Sequence, residues 1–211
     1  MTARLQRQQT LSDARRALVL DAARTVFGEL GIEGASIREI ARQAGYTPGA
    51  IYSYFDSKEA IYGALLSESL ERLNAAVASA GQGLADAPAE WLKANALAWF
   101  GFFAANPRDL DLGFYLVHGL APRGLTSELN QRLNARLYDA LRPCELALLG
   151  MGLDAQAALR ENTALFAHGV GLLLLMHTGR IRMFGQDATQ LFTQYLDVLV
   201  ARTPQRPGDS P

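Results

Sequence analysis

Between Ser36 and Lys58 the chain gathers residue types that meet phosphates and bases. Ser36, Arg38, Thr47, Tyr52, Tyr54 and Lys58 supply hydroxyl donors and cations in one short stretch. Hydroxyls, guanidinium and ammonium groups are the usual partners of a nucleic-acid backbone, and Arg also reads guanine edges. Pro48 and Gly49 interrupt the stretch where a side-chain-free backbone could approach a ligand closely. Each residue also has a plain reading inside a fold. Ser36 and Thr47 serve as helix caps, Tyr52 and Tyr54 as half-buried core rings, and Arg38 and Lys58 as solvated surface cations. Arg38 sits in a helix's first turn, against the dipole, which is locally unfavourable and points to an outside anion.

The other reactive side chains do not combine. Cys144 is alone, so no disulfide framework or cysteine metal site is available. His118, His168 and His177 complete the histidines. On one helix, His168 and His177 would lie about 180° apart and ~13 Å along the axis, which no single metal ion spans. There is no Gly-rich phosphate loop, no Ser-His-Asp arrangement and no partnered carboxylate pair. The expectation is a protein without catalytic residues, metal or cofactor, with a helical enzyme as the remote alternative.

These residues need elements to hold them. The chain has 211 residues, 49 % of them apolar, and a net charge of −1. Residues 1–60 carry +1 and the remainder −2, so no global field selects a polyanion. The pattern is helical throughout, giving an all-α expectation. Residues 1–12 read as a basic flexible arm and 13–57 as a helix-turn-helix domain. Residues 58–202 read as a helical bundle and 203–211 as a disordered tail. A first helix fits 13–30, with Val19, Ala23, Val26, Phe27 and Leu30 on one face and Gly31 after its end. Ser36-Ile-Arg-Glu39 forms a capping box for the second helix, Gly45 ends it, and Ile37, Ile40, Ala41 and Ala44 are its buried stripe. Thr47 caps a third helix, Pro48 to about Tyr54, with Ile51 and Phe55 facing inward. Tyr52 and Tyr54 then diverge by about 200°, so one packing site cannot hold both. A fourth helix, capped by Asp56 or Ser57, runs to Ala80. Further helices fit 89–105, 108–119, 124–149, 154–178 and 187–202, with Pro143 kinking or splitting the third of these.

The segment "VLDAARTVFGELGIEGASIREIARQAGYTPGAIYSYFDSKEAIYGALL" resembles the DNA-binding domain of the TetR family of transcriptional regulators. The resemblance covers about fifty residues and rests on Phe27, Gly31, Ser36-Ile37, Ile40-Ala41, Ala44-Gly45, Gly49, Ile51-Tyr52, Tyr54-Phe55 and Ser57-Lys58. It implies a homodimer that binds a double-stranded palindromic operator as a repressor and is released by a small-molecule effector; a cytoplasmic location is the default expectation from the sequence. On this resemblance the helix from Pro48 lies in the major groove. Ser36, Arg38, Thr47, Pro48, Gly49, Tyr52, Tyr54 and Lys58 are then the DNA contacts. An activator, or a constitutive DNA binder without ligand, is the alternative.

The C-terminal half matches only loosely. Its rings suggest a cavity for a small apolar or aromatic molecule, lined by Trp99, Phe103, Phe114, His118, Tyr138, Phe166 and His168. Core packing explains the same rings. From Leu165 to Thr178 the chain is almost uncharged, so that helix needs burial on several sides. Gly169, Leu172, Met176, Phe192, Tyr195 and Leu199 are the expected dimer seam. The longest apolar run, Val170 to Met176, is too short to span a bilayer, and no signal peptide is seen.

Overall fold

The computed structural model describes residues 3–114 and 125–203. Helix α1 (Ala3–Gly34) begins well before the predicted start, because residues 3–12 are mostly good helix formers. Thr10 Oγ1 donates to the Gln6 carbonyl at 3.0 Å, and Gln9 Nε2 to Asp13 at 3.0 Å. The segment read as a flexible arm is therefore helical from Ala3. The helical backbone breaks at Gly31 (φ 66°, ψ 175°), where glycine was expected to end it.

Then follow α2 (Ile37–Ala44), α3 (Pro48–Tyr52), α4 (Lys58–Ala80), α5 (Pro88–Ala105), α6 (Pro107–Phe114), α7 (Ser127–Gly150), α8 (Ala155–His177) and α9 (Ala188–Arg202). A short 3-10 helix, Arg180–Phe184, stands where a loop was expected, between left-handed Gly179 and Gly185. Pro143 lies inside α7 without dividing it. Thr203, placed in the predicted tail, is buried, and its hydroxyl donates to the Leu199 carbonyl at 2.7 Å. Residues 204–211 lie outside the described residues.

The chain separates into two units, divided at Ser69/Leu70, Pro107/Arg108 and Leu133/Asn134. This departs from the expected boundary at residue 57. The start of α4, all of α6 after Pro107 and the start of α7 belong with the helix-turn-helix. The reason is packing on α4. Tyr62 Oη donates to the Leu112 carbonyl of α6 at 2.5 Å. A Cβ added at Gly63 would stand 2.6 Å from Leu129 of α7.

The first unit's core is Val19, Ala23, Phe27, Ile40, Ile51, Ile61 and Leu65, all buried. Leu30 is the exception on the α1 stripe and is 40 % exposed. In the second unit Trp99 and Phe100 of α5, Leu173 of α8 and Phe192 of α9 have almost no exposure. Phe100 stacks on Phe192 at 4.5 Å, and Trp99 meets Phe103 and Phe166 edge-on at 5.4 and 5.5 Å.

Candidate nucleic-acid interface

Two turns build this site. Ser36 caps α2, accepting from the Glu39 amide at 3.2 Å, while its hydroxyl donates to the Glu39 carboxylate at 2.8 Å. The carboxylate thus engages the Ser36 hydroxyl, where the capping box predicted a bond to the backbone amide. Gly45 takes the left-handed conformation (φ 70°) and the Tyr46 amide donates to the Ala41 carbonyl at 2.8 Å, turning the chain into α3. Thr47 Oγ1 accepts from the Ala50 amide at 3.3 Å, and Pro48 occupies the first helical position.

Helix α3 is shorter than expected. It stops at Tyr52, and Ser53-Tyr54 form a turn whose amides bond to Ala50 and Ile51. Ile51 is fully buried and Phe55 is 6 % exposed, so this small element is pinned from one side. Its other side is open. Thr47, Pro48 and Gly49 are exposed, and Tyr52 is 56 % exposed. Tyr54 is half-buried, and neither tyrosine hydroxyl has a hydrogen-bond partner among the described residues. A Cβ added at Gly49 would meet nothing within 4 Å. Nothing among the described residues requires glycine there.

The cations divide. Arg38 and Arg42 are exposed and make no ion pair among the described residues. Lys58 is committed: its Nζ donates to the Glu33 carbonyl at 3.2 Å and the Ala35 carbonyl at 3.0 Å. One ammonium proton remains for an outside partner. Sequence reading missed Arg16, whose guanidinium lies 5.0 Å from the Phe55 ring centroid and 3.8 Å from Glu68 of α4. Arg24 adds a second contact to Glu68, at 3.5 Å. Its only available signal was i, i+8 spacing on α1. Tyr62 was missed too; its ring packs edge-on against Phe27 at 5.4 Å.

The C-terminal candidates are scattered. Trp99 and Phe103 are buried, Phe166 is half-buried against Trp99, and His168 stacks on Tyr195 at 4.4 Å. Phe114 belongs to the first unit. His118 lies outside the described residues. Tyr138 is 43 % exposed and its hydroxyl donates to the Glu145 carboxylate, which raises the phenol pKa, so it faces away from any interior site. Of the expected dimer seam, Leu172, Phe192 and Leu199 are core, with Phe192 fully buried. Gly169 is used within the chain: a Cβ there would stand 2.7 Å from Trp99. These four point inward and leave Met176 and Tyr195 half-buried. The open face of α8 carries Leu159, Ala167, Gly171 and Leu174, and α9 adds Val198 at 61 % exposure. Among the described residues no helix is long and apolar enough to cross a membrane, and no acidic, histidine or cysteine group is arranged to hold a metal ion.

Residues 19–65 match the family model described as bacterial regulatory proteins, tetR family. The HTH-type transcriptional repressor Rv1474c of Mycobacterium tuberculosis is 44 % identical over 66 residues, 31 % of this chain and 35 % of that protein. The HTH-type transcriptional regulator UidR of Escherichia coli K12 is 38 % identical over 64 residues, 30 % and 33 % of the two chains. The chain thus spans about a third of the length of the curated relatives it matches. The fold match is longer. The crystal structure of the transcriptional regulator FadR from Bacillus subtilis, in complex with stearoyl-CoA, covers 88 % of this chain and 97 % of its own. Its TM-score is 0.67 at 24 % identity, which establishes an N-terminal helix-turn-helix followed by a helical C-terminal part.

Proposed function

We propose that this chain, a TetR-family regulator by its N-terminal domain, is a cytoplasmic ligand-responsive repressor that binds a palindromic DNA operator as a homodimer. The observation that carries the reading is the edge of α3. Thr47, Pro48, Gly49 and Tyr52 stand open while Ile51 and Phe55 anchor the element beneath them. A short rigid helix with its N-terminus exposed fits the major groove. Arg38, Arg42 and the tyrosine hydroxyls lie nearby as phosphate or base partners.

A second copy supplies the dimer, and the open α8–α9 face is the proposed seam. A Cβ at Gly171 would meet nothing within 4 Å, so this glycine leaves room for a crossing helix. Two-fold pairing would set the reading helices ~34–36 Å apart, one DNA turn.

The effector is a small, largely apolar molecule held in the C-terminal unit, and the long acyl chain that the similar FadR structure binds as stearoyl-CoA makes fatty-acyl compounds the first to try. Its binding would move α6, which follows α5 after a single residue and holds α4 through the Tyr62–Leu112 bond. Helix α4 in turn carries Lys58, tied to the turn before α2. Differential affinity of a few kcal/mol between two arrangements is enough to empty the operator.

The test is selection of bound duplexes from a random pool, followed by titration of the selected DNA with an effector library. A palindromic consensus and release by a library member are the expected outcome. No enriched sequence overturns the DNA reading. An enriched sequence that no compound releases overturns the gating and leaves a constitutive binder.

A further inference from the structure

Arg16 of α1 touches two other parts of the first unit at once. Its guanidinium carbon lies 5.0 Å from the centroid of the Phe55 ring, and its Nη1 lies 3.8 Å from Oε1 of Glu68 on α4. Glu68 is shared. Its other oxygen, Oε2, pairs with Nη2 of Arg24 at 3.5 Å, while Nη1 of Arg24 donates to Asp21 at 2.8 Å. Arg16 and Arg24 are two turns apart, about 12 Å along the α1 axis, so Glu68 sits between them. All of these residues belong to the first unit.

Phe55 is tied to the helix that presents Thr47, Pro48 and Gly49. Its amide donates to the Ile51 carbonyl at 3.0 Å, and the Tyr54 amide donates to the same carbonyl at 2.9 Å. The ring therefore moves with the last turn of α3. Ile51 is one buried anchor of this element and Phe55 is the other. Two anchors fix a short helix, and the direction of its axis depends on where the second one sits. Phe55 is 6 % exposed, whereas the Arg16 side chain is 43 % exposed, so the guanidinium covers the ring from the solvent side. A planar guanidinium presents its face to a ring and its edge to a carboxylate together, which a point-like ammonium does not.

We infer that Arg16 is a positioning residue for operator recognition: it holds Phe55, and with it the axis of α3, while Glu68 holds Arg16. The inference rests on the DNA-binding reading above and adds a residue that acts on DNA without touching it. The rival role for a part-exposed arginine on this unit is a phosphate contact. The two roles give opposite signs at Glu68. Removing the carboxylate would free a phosphate-binding arginine and subtract a negative charge, so operator affinity would hold or rise. Removing it from a positioning pair loosens the guanidinium over the ring, so affinity falls. A purely structural role moves neither, because ion pairs this exposed change global stability little and leave the chain folded.

The operator is first selected from random duplexes with the full-length chain, and affinity is then measured at several salt concentrations. Glu68→Gln should weaken binding about threefold, and Arg16→Lys about fivefold although the charge is kept. The salt slope should stay within about half a unit of its starting value in both. Arg24→Gln removes the second tie to Glu68 and one α1 charge without touching Phe55, and should stay within about twofold. In a Phe55→Leu background, Arg16→Lys should cost no more than about twofold further. Where Phe55→Leu does not fold, the sign at Glu68 decides. Glu68→Gln that binds as well as the original chain or better overturns the inference. Arg16→Lys that binds as tightly as arginine, or an Arg24→Gln loss as large as the Arg16→Lys loss, also overturns it. A selection that enriches no duplex removes the DNA reading and this inference with it. An enriched operator that is indifferent to Glu68 and Arg16 removes this inference alone.

Discussion

The ammonium group of Lys58 donates to the backbone carbonyl of Ala35 at 3.0 Å, fastening the start of α4 to the residue before the α2 cap. A second bond, to Glu33, involves the same group. Lys58 is thus a structural tie whatever else it meets. Lys58→Ala should lower stability by about 1–2 kcal/mol, discounted for partial exposure. It should also weaken operator binding, while the salt slope falls by no more than about one. Urea melts and operator titrations at several salt concentrations check this. A full unit off the slope with unchanged stability would make the lysine a phosphate contact and nothing more.

Gly49 separates folding from recognition. It lies in α3 with open space where a Cβ would go. Gly49→Ala should raise stability by up to about 0.5–1 kcal/mol, because alanine favours the helix. Operator affinity should drop, because the methyl stands where the DNA backbone or a base edge would approach. Equal affinity in the variant would show that α3 does not come that close.

Tyr62→Phe keeps the ring against Phe27 and removes the bond to Leu112. A cost of about 1–2 kcal/mol is expected from the lost bond. Operator binding without effector should persist, and release by effector should be blunted several-fold. Parallel operator titrations with and without the releasing compound decide it, and unaltered release would remove Tyr62 from the coupling.

The two glycines of α8 should behave oppositely. Gly169→Val drives a side chain into Trp99 and should destabilise the unit by more than about 2 kcal/mol. At Gly171 an added Cβ meets nothing within 4 Å among the described residues, so Gly171→Leu should fold normally and shift the protein to monomer. Light scattering after size exclusion reads this directly. A dimer that survives Gly171→Leu and Val198→Glu together would move the seam elsewhere.

Acidification should act through His168. Burial holds its pKa below the ordinary value of 6.5. As pH falls, the unfolded chain takes up the proton first, so stability is complete above that value and declines below it. The urea midpoint should therefore be lower near pH 5.5 than near pH 7.5, and His168→Gln should flatten the difference. Cys144 reports the same unit: its buried thiol is pushed up to about 12, so a thiol reagent should modify it only on unfolding.

What the sequence determined by itself was local. Ser36, Gly45, Thr47 and Pro48 act within one turn of their own position, so the second and third helices and the turn between them could be read directly. The apolar spacing also identified Ile40, Ile51 and Phe55 as the residues that hold α3. What only the tertiary structure decided was direction over distance. Lys58 finds its partners 23 and 25 residues earlier in the chain, and no periodicity encodes that. Helix α8 is apolar over most of its girth, so its period could not say which side faces Trp99. The fold turned Gly169, Phe192 and Leu199 inward and left Gly171 and Val198 outside. Tyr138, one ring among many in the composition, faces outward and bonds to Glu145 of its own helix. Spacing places a residue on a face of its own helix, and only the packing of the other helices decides what that face meets.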